Sequence, residues 1–142
     1  MKLSDHVTLA EFEHTSHNIP NKMNEAHIAS ATLLCNKVFE PLRLYLGRAI
    51  IISSGYRSPA LNRAIGGSAT SQHSKAEAID VNIGAKGFFY IKDNLEFDQL
   101  IWEFGTDANP DWVHVSYEST GKQRKQILKA IKKGKATSYL PI

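Results

Sequence analysis

Three positions in this sequence could do chemistry together. His73 and Asp80 stand seven residues apart at the end of the stretch Ser54–Asp80, and His114 follows inside "DWVHVSY". Two histidines and one carboxylate are a ligand set for catalytic zinc, with the fourth position left to water. A metal held in this way lowers the pKa of water to about 7 and so generates a nucleophile at neutral pH. Arg57, in the polar run "SGYRSP", adds a cation to the same segment. The spacing is not specific by itself. His6, His14, His17 and His27 show how common histidine is in this chain. Satisfied or exposed polar side chains are therefore the competing reading at this point.

For the three to converge, two strands must lie side by side. "AIDVNI" alternates, with Ile79, Val81 and Ile83 on one face and Ala78, Asp80 and Asn82 on the other. "DWVHVSY" alternates too, and sets His114 with Trp112 and Ser116 against Val113, Val115 and Tyr117. Asp80 and His114 thus fall on the non-core faces, and His73 lies in the loop that leads into the first strand. Asn109-Pro110 signals a turn, so the second strand is expected to begin at about Trp112, with Asp111 in the turn.

Other elements follow from apolar spacing. Residues 24–46 read as a helix from Ile28, Ala31, Cys35, Val38, Leu42 and Tyr45, with a kink near Glu40 forced by Pro41 and a C-terminal cap at Gly47. Ala49 to Ser54 reads as a short buried strand, and Ser58-Pro59 opens a short helix to about Ile65. "FDQLIWEF" reads as a helix with Phe97, Leu100, Ile101 and Phe104 on one side, and Gln123 to Lys132 as a last, basic helix. The fold class is then α+β, a small antiparallel sheet flanked by helices, with the zinc site on the sheet's open face.

Length and composition bound the rest. The chain has 142 residues, which predicts one domain, residues 1–142. Apolar content of 42% and charged content of 22% are those of a globular protein. The single Cys35 excludes an internal disulfide and reads as a buried small hydrophobe. No run is apolar for the roughly 18 residues that a membrane span needs. The first residues lack a secretory apolar core, so synthesis in the cytoplasm without a signal peptide is expected, with action on a cell wall only after release. Net charge is +3, and "GKQRKQILKAIKKGK" holds seven Lys and Arg and no acid. That tail predicts either a solvated helix or an anionic partner such as a wall surface. Nucleic acid is not expected, because no aromatic-interleaved basic surface accompanies the tail. A monomer is expected.

The runs "SGYRS", "SQHSKAEAID" and "DWVHVS", in this order, resemble the zinc D-alanyl-D-alanine carboxypeptidase family, the M15 peptidases, whose members include cell-wall dipeptidases and phage endolysins. "LSDHVTLAEFEHTSHNIPN" and "NRAIGGSATSQH" are similar to its short single-domain branch, which extends the resemblance over nearly the whole chain. The resemblance implies Zn2+ as cofactor and His73, Asp80 and His114 as its ligands. It implies Asp111 as the catalytic acid/base, Arg57 as the cation that binds substrate or transition state, and Ser71 as a substrate-side serine. The activity implied is hydrolysis of a peptide bond in peptidoglycan stem peptides, of the D-Ala-D-Ala carboxypeptidase or the L-Ala-D-Glu endopeptidase type, in a phage or prophage lysin. The alternative is an inactive zinc- or wall-peptide-binding module of the same fold. Two positions depart from the family pattern: Ala76 replaces the usual glycine between the first two ligands, and Asp111 stands where many members carry glutamate. An alanine suits that place only if the backbone there avoids positive φ.

Overall fold

The computed structural model describes residues Met1–Ile142. Strands β1 (Lys2–Ser4) and β2 (Val7–Thr8) form a small antiparallel pair. Thr8 then starts helix α1 (Leu9–Glu13) with a capping box: its hydroxyl accepts from the Glu11 amide, and the Glu11 carboxylate accepts from the Thr8 amide. Helix α2 (Glu25–Leu34) begins in the same manner at Asn24 and His27.

The expected kink has a specific form. A proline has no N–H, and its ring collides with the carbonyl four residues back in a regular helix. Here a π-helical turn, Cys35–Phe39, precedes helix α3 (Glu40–Leu46), and the Glu40 amide bonds to the Cys35 carbonyl five residues back. The widened turn lets the helix continue past Pro41. Gly47 closes α3 at φ 67°, as expected of a left-handed cap. Cys35 is buried as predicted. Burial, with the Glu40 charge behind it, pushes its thiol up to about 12.

Strand β3 (Ile52–Ser54), helix α4 (Pro59–Ala64), a 3-10 turn (Gln72–Lys75) and strand β4 (Ala78–Val81) follow in the predicted order. Helix α5 (Gly84–Asn94) has no counterpart among the expected elements. Strands β5 (Gln99–Glu103), β6 (Trp112–Ser116), β7 (Gln126–Lys133) and β8 (Ala136–Pro141) complete the chain.

The fold is α+β, but the sheet is larger than expected and not wholly antiparallel. Six strands lie in the order β3-β4-β6-β5-β7-β8, and β5 runs parallel to β7. Two expected helices are strands. The apolar residues at 97, 100, 101 and 104 fit a helical face, yet a short strand apolar on both faces gives the same spacing. In β5, Leu100 and Trp102 enter the main core, while Ile101 joins Leu128 and Ala130 in a separate small cluster on the other face.

The basic tail is likewise β7 and β8, a hairpin closed over Gly134 and Lys135 with Gly134 at φ 61°. Alternation along β7 divides its lysines. Lys132 lies on the same face as Leu128 and Ala130, whereas Lys129 and Lys133 lie on the opposite face. The tail therefore does not present the single basic helical face predicted for an anionic wall.

The helices cover one face of the sheet. Leu34, Phe39 and Phe88 pack there against Ile79, Leu100 and Val115 in a core of 24 buried residues. The other face is left as the floor of a cleft.

Candidate active site

Asp80 on β4 and His114 on β6 are direct cross-strand partners. His73 arrives from the 3-10 turn just before β4. Its register is fixed at both ends of that turn: the Ser71 hydroxyl accepts from the His73 amide at 3.2 Å, and the Arg57 amide donates to the His73 carbonyl at 3.1 Å. The three side chains converge as the sequence suggested, with one candidate ligand atom from each lying within 4.8 Å of the others.

The donor set suits a metal ion. His73 Nε2 is 3.4 Å and His114 Nδ1 is 3.3 Å from the same oxygen of Asp80, Oδ1. Ligand bonds of about 2.0–2.1 Å at tetrahedral angles produce ligand-to-ligand edges of about this length. His73 Nδ1 lies 2.7 Å from the Gly55 carbonyl and donates to it, which leaves Nε2 as the free lone pair. His73 Nε2 is buried without a partner in the protein. Buried polar atoms are normally paired, so this nitrogen, 3.4 Å from Asp80 Oδ1, points to a missing group.

Gly55 is required for this arrangement. A Cβ there would lie 2.5 Å from the Phe12 carbonyl, so only glycine lets helix α1 press close and hold the Gly55 carbonyl under His73.

Asp80 divides its carboxylate. Oδ1 faces the two imidazoles, and Oδ2 accepts from Arg57 Nη2 at 3.4 Å. Burial alone would raise this carboxyl. The His73 charge and the hydrogen bonds of His114 and His73 outweigh burial and hold it far below the ordinary carboxylate range. Arg57 is itself held, by Ser54 Oγ at 3.1 Å and Asn62 Oδ1 at 3.4 Å. Asn62 is buried against Gly67, where a Cβ would come within 2.0 Å of the amide oxygen. The "NRAIGG" run thus orients the arginine.

The cleft above these residues has a volume of about 960 Å³. Arg57, Ser71, His73, Asp80 and His114 line it. Asp111 does not. It lies in the turn before β6, as the sequence predicted, but its side chain is exposed rather than turned into the cleft, and its amide donates to the Glu103 carbonyl. Besides Asp80, the acids that line the cleft are Asp98, Glu103 and Glu118. Glu103 stands at the end of β5, and its cross-strand partner is Trp112, two residues before His114. Glu103 and His114 therefore share a face. Burial raises the Glu103 carboxyl to about 7, with Asp80 adding to the rise while His114 and Arg57 oppose it. Sequence reasoning missed this residue. Its signal was a lone acid inside the apolar run "LIWEF", which a strand would turn away from the core.

A family model described as Peptidase M15 matches residues 5–116, well over half of the chain. The chain belongs to the peptidase M15 family. Membership supports a peptidase, and the matched span takes in Arg57, His73, Asp80, Glu103, Asp111 and His114. No curated protein matches the chain. The family's usual glycine is Ala76 in this M15 member, and its φ is 59°, so the condition under which alanine would fit freely is not met. Ala76 caps the 3-10 turn in the left-handed region, with its amide bonded to the Gln72 and His73 carbonyls.

One ion pair, buried only on its Asp98 side, supports the His73 turn from outside. Asp98 accepts from Arg124 Nη2 at 2.8 Å, from the Arg124 amide at 3.0 Å and from Gln72 Nε2 at 2.9 Å. Arg124 is 57% exposed, so losing the carboxylate would return its charge to water. The cost of Asp98→Ala lies mainly in the unpaired amides, and about 2 kcal/mol is expected in chemical denaturation. Burial raises the Asp98 carboxyl, but Arg124 and Gln72 lower it further. A depressed folded value means stability that is complete above the unfolded pKa of about 3.9 and is lost as pH falls through the folded one. The wild type and Asp98→Ala should therefore converge in stability under acid.

Proposed function

We propose that this protein is a zinc peptidase that hydrolyses a peptide bond in peptidoglycan stem peptides. The observation that carries the reading is the convergence of His73, Asp80 and His114, with His73 Nε2 unpartnered, in a cleft that also holds a raised carboxyl. His73, Asp80 and His114 would hold the zinc, which supplies Lewis-acid polarisation of the carbonyl and activation of water.

Glu103 is the acid/base in this reading. A carboxyl poised near neutral pH accepts the proton of the attacking water and returns it to the leaving amine as the C–N bond breaks. Asp111 carried that role by family resemblance, but it lies outside the cleft lining, so we assign the role to Glu103. Arg57 donates to Asp80 Oδ2 and presents the rest of its planar fork to a substrate carboxylate or developing oxyanion. Ser71 caps the His73 turn and stands at the cleft wall within reach of substrate. A stem peptide suits the cleft because it brings carboxylates to Arg57.

The test is digestion of purified peptidoglycan with zinc-loaded protein, followed by mass spectrometry of the released muropeptides. Loss of a terminal D-alanine would mark a carboxypeptidase, and free stem peptides an endopeptidase acting next to L-alanine. An unaltered muropeptide profile at high enzyme concentration would remove peptidoglycan as the substrate.

A further inference from the structure

The family match ends at residue 116, but the sheet continues through β7 and β8. These strands are joined to the site in strict register. Glu103 on β5 is opposite Ala130 on β7, and Ala130 is opposite Tyr139 on β8. Partners in register share a face, so Glu103, Ala130 and Tyr139 form one row on the cleft side. Two strand spacings, about 10 Å, separate the outer members of the row. The middle member is only a methyl group, fully buried on the cleft floor. The two longer side chains therefore face the same space above it.

Tyr139 lines the cleft together with His73, Asp80, Glu103 and His114. It remains 52% exposed, so its ring is not spent on filling the core. Its phenol is shifted above its usual value, first by burial and then by the Glu103 and Asp80 carboxylates, with Arg57 opposing. The hydroxyl therefore keeps its proton at neutral pH and is available as a donor. Arg57 reaches the cluster from the β3 edge, and Tyr139 faces it from the β8 edge at the other end of the sheet.

We propose that Tyr139 is a further substrate-contacting residue, whose hydroxyl donates a hydrogen bond to a carbonyl oxygen of the bound peptide. The peptide then lies across the strands, between Arg57 at one edge and the β7–β8 hairpin at the other. The hairpin becomes a wall of the site supplied by sequence beyond the family-matched region. This inference rests on the peptidase reading of the cleft.

The experiment compares wild type, Tyr139→Phe and Tyr139→Ala as full, zinc-loaded chains. Soluble muropeptides prepared from purified peptidoglycan serve as substrate, and their binding to the metal-free proteins is measured by calorimetry. Tyr139→Phe keeps the ring and removes only the hydroxyl. It should lower kcat/KM about 10-fold, the scale of one net hydrogen bond to substrate, with zinc content and Tm unchanged. Wild-type kcat/KM in Tyr139→Phe, even beside a poor Tyr139→Ala, would assign the residue to packing and overturn the proposal. Should wild type cleave nothing, the peptidase reading fails and the binding arm decides this one. Weaker muropeptide binding by Tyr139→Phe would then support the contact, and equal binding or none at all would overturn it.

Discussion

If the proposed site is right, Glu103→Gln should retain zinc and fold while turnover falls by roughly 10² to 10⁴, the usual contribution of a positioned acid/base. Glutamine has the shape of the glutamate it replaces but cannot take a proton from water. Asp111→Asn should do almost nothing, because the Asp111 side chain is exposed in the turn and outside the cleft lining. The pair of variants separates two roles that lie close together in the sheet. The pH profile adds a second readout. Glu103 must be ionised to accept a proton, so kcat/KM should rise with pH along an acid limb set by this residue. Its carboxyl stands at about 7 in the protein without metal, and a bound dication moves the limb downward by favouring the anion. That limb should be absent from whatever activity Glu103→Gln retains. If instead Asp111→Asn is inactive and Glu103→Gln is not, the acid/base returns to the turn.

His73→Ala should abolish metal binding, with activity falling to background. The wild type should carry about one zinc per chain, by the logic of three protein ligands and one open position. Removing His73 leaves two ligands and also frees the Gly55 carbonyl that had oriented the ring. His114→Ala should behave in the same way. Elemental analysis measures both directly. Full zinc in either variant would take that histidine out of the site. Folding is the necessary control, since His73 is 2% exposed and its replacement opens a small cavity. A near-native circular dichroism spectrum with no metal is the expected combination.

Much of this site was legible in the sequence because its residues stand on strands with clean alternation. Ile79, Val81, Val113 and Val115 declare which face is buried, and that fixes where Asp80 and His114 point. The turn at Asn109-Pro110 correctly limits β6 to residues from Trp112 onward. β5 was not legible. It carries apolar residues on both faces, Leu100 and Trp102 toward the core and Ile101 toward the small second cluster, which erases the two-residue period. With β5 read as a helix, Glu103 could not be seen as a neighbour of His114. The parallel pairing of β5 with β7 joins segments more than twenty residues apart, and no local pattern records it. Hence the tail read as a basic helix, and Tyr139 had no place in the site.

Ala76 bears on how this position changes over evolutionary time. A left-handed backbone costs an alanine about 1–2 kcal/mol, a penalty that glycine avoids. The Ala76 methyl, however, is fully buried within the main core, and a buried methyl returns about 0.8 kcal/mol. The methyl offsets part of the backbone cost, and about 0.2–1.2 kcal/mol remains in favour of glycine. Any larger side chain meets both the backbone penalty and the packed core. The position therefore takes alanine at a small cost in stability while remaining closed to larger residues, and the strain it stores lies in the backbone between two candidate ligands rather than in their side chains.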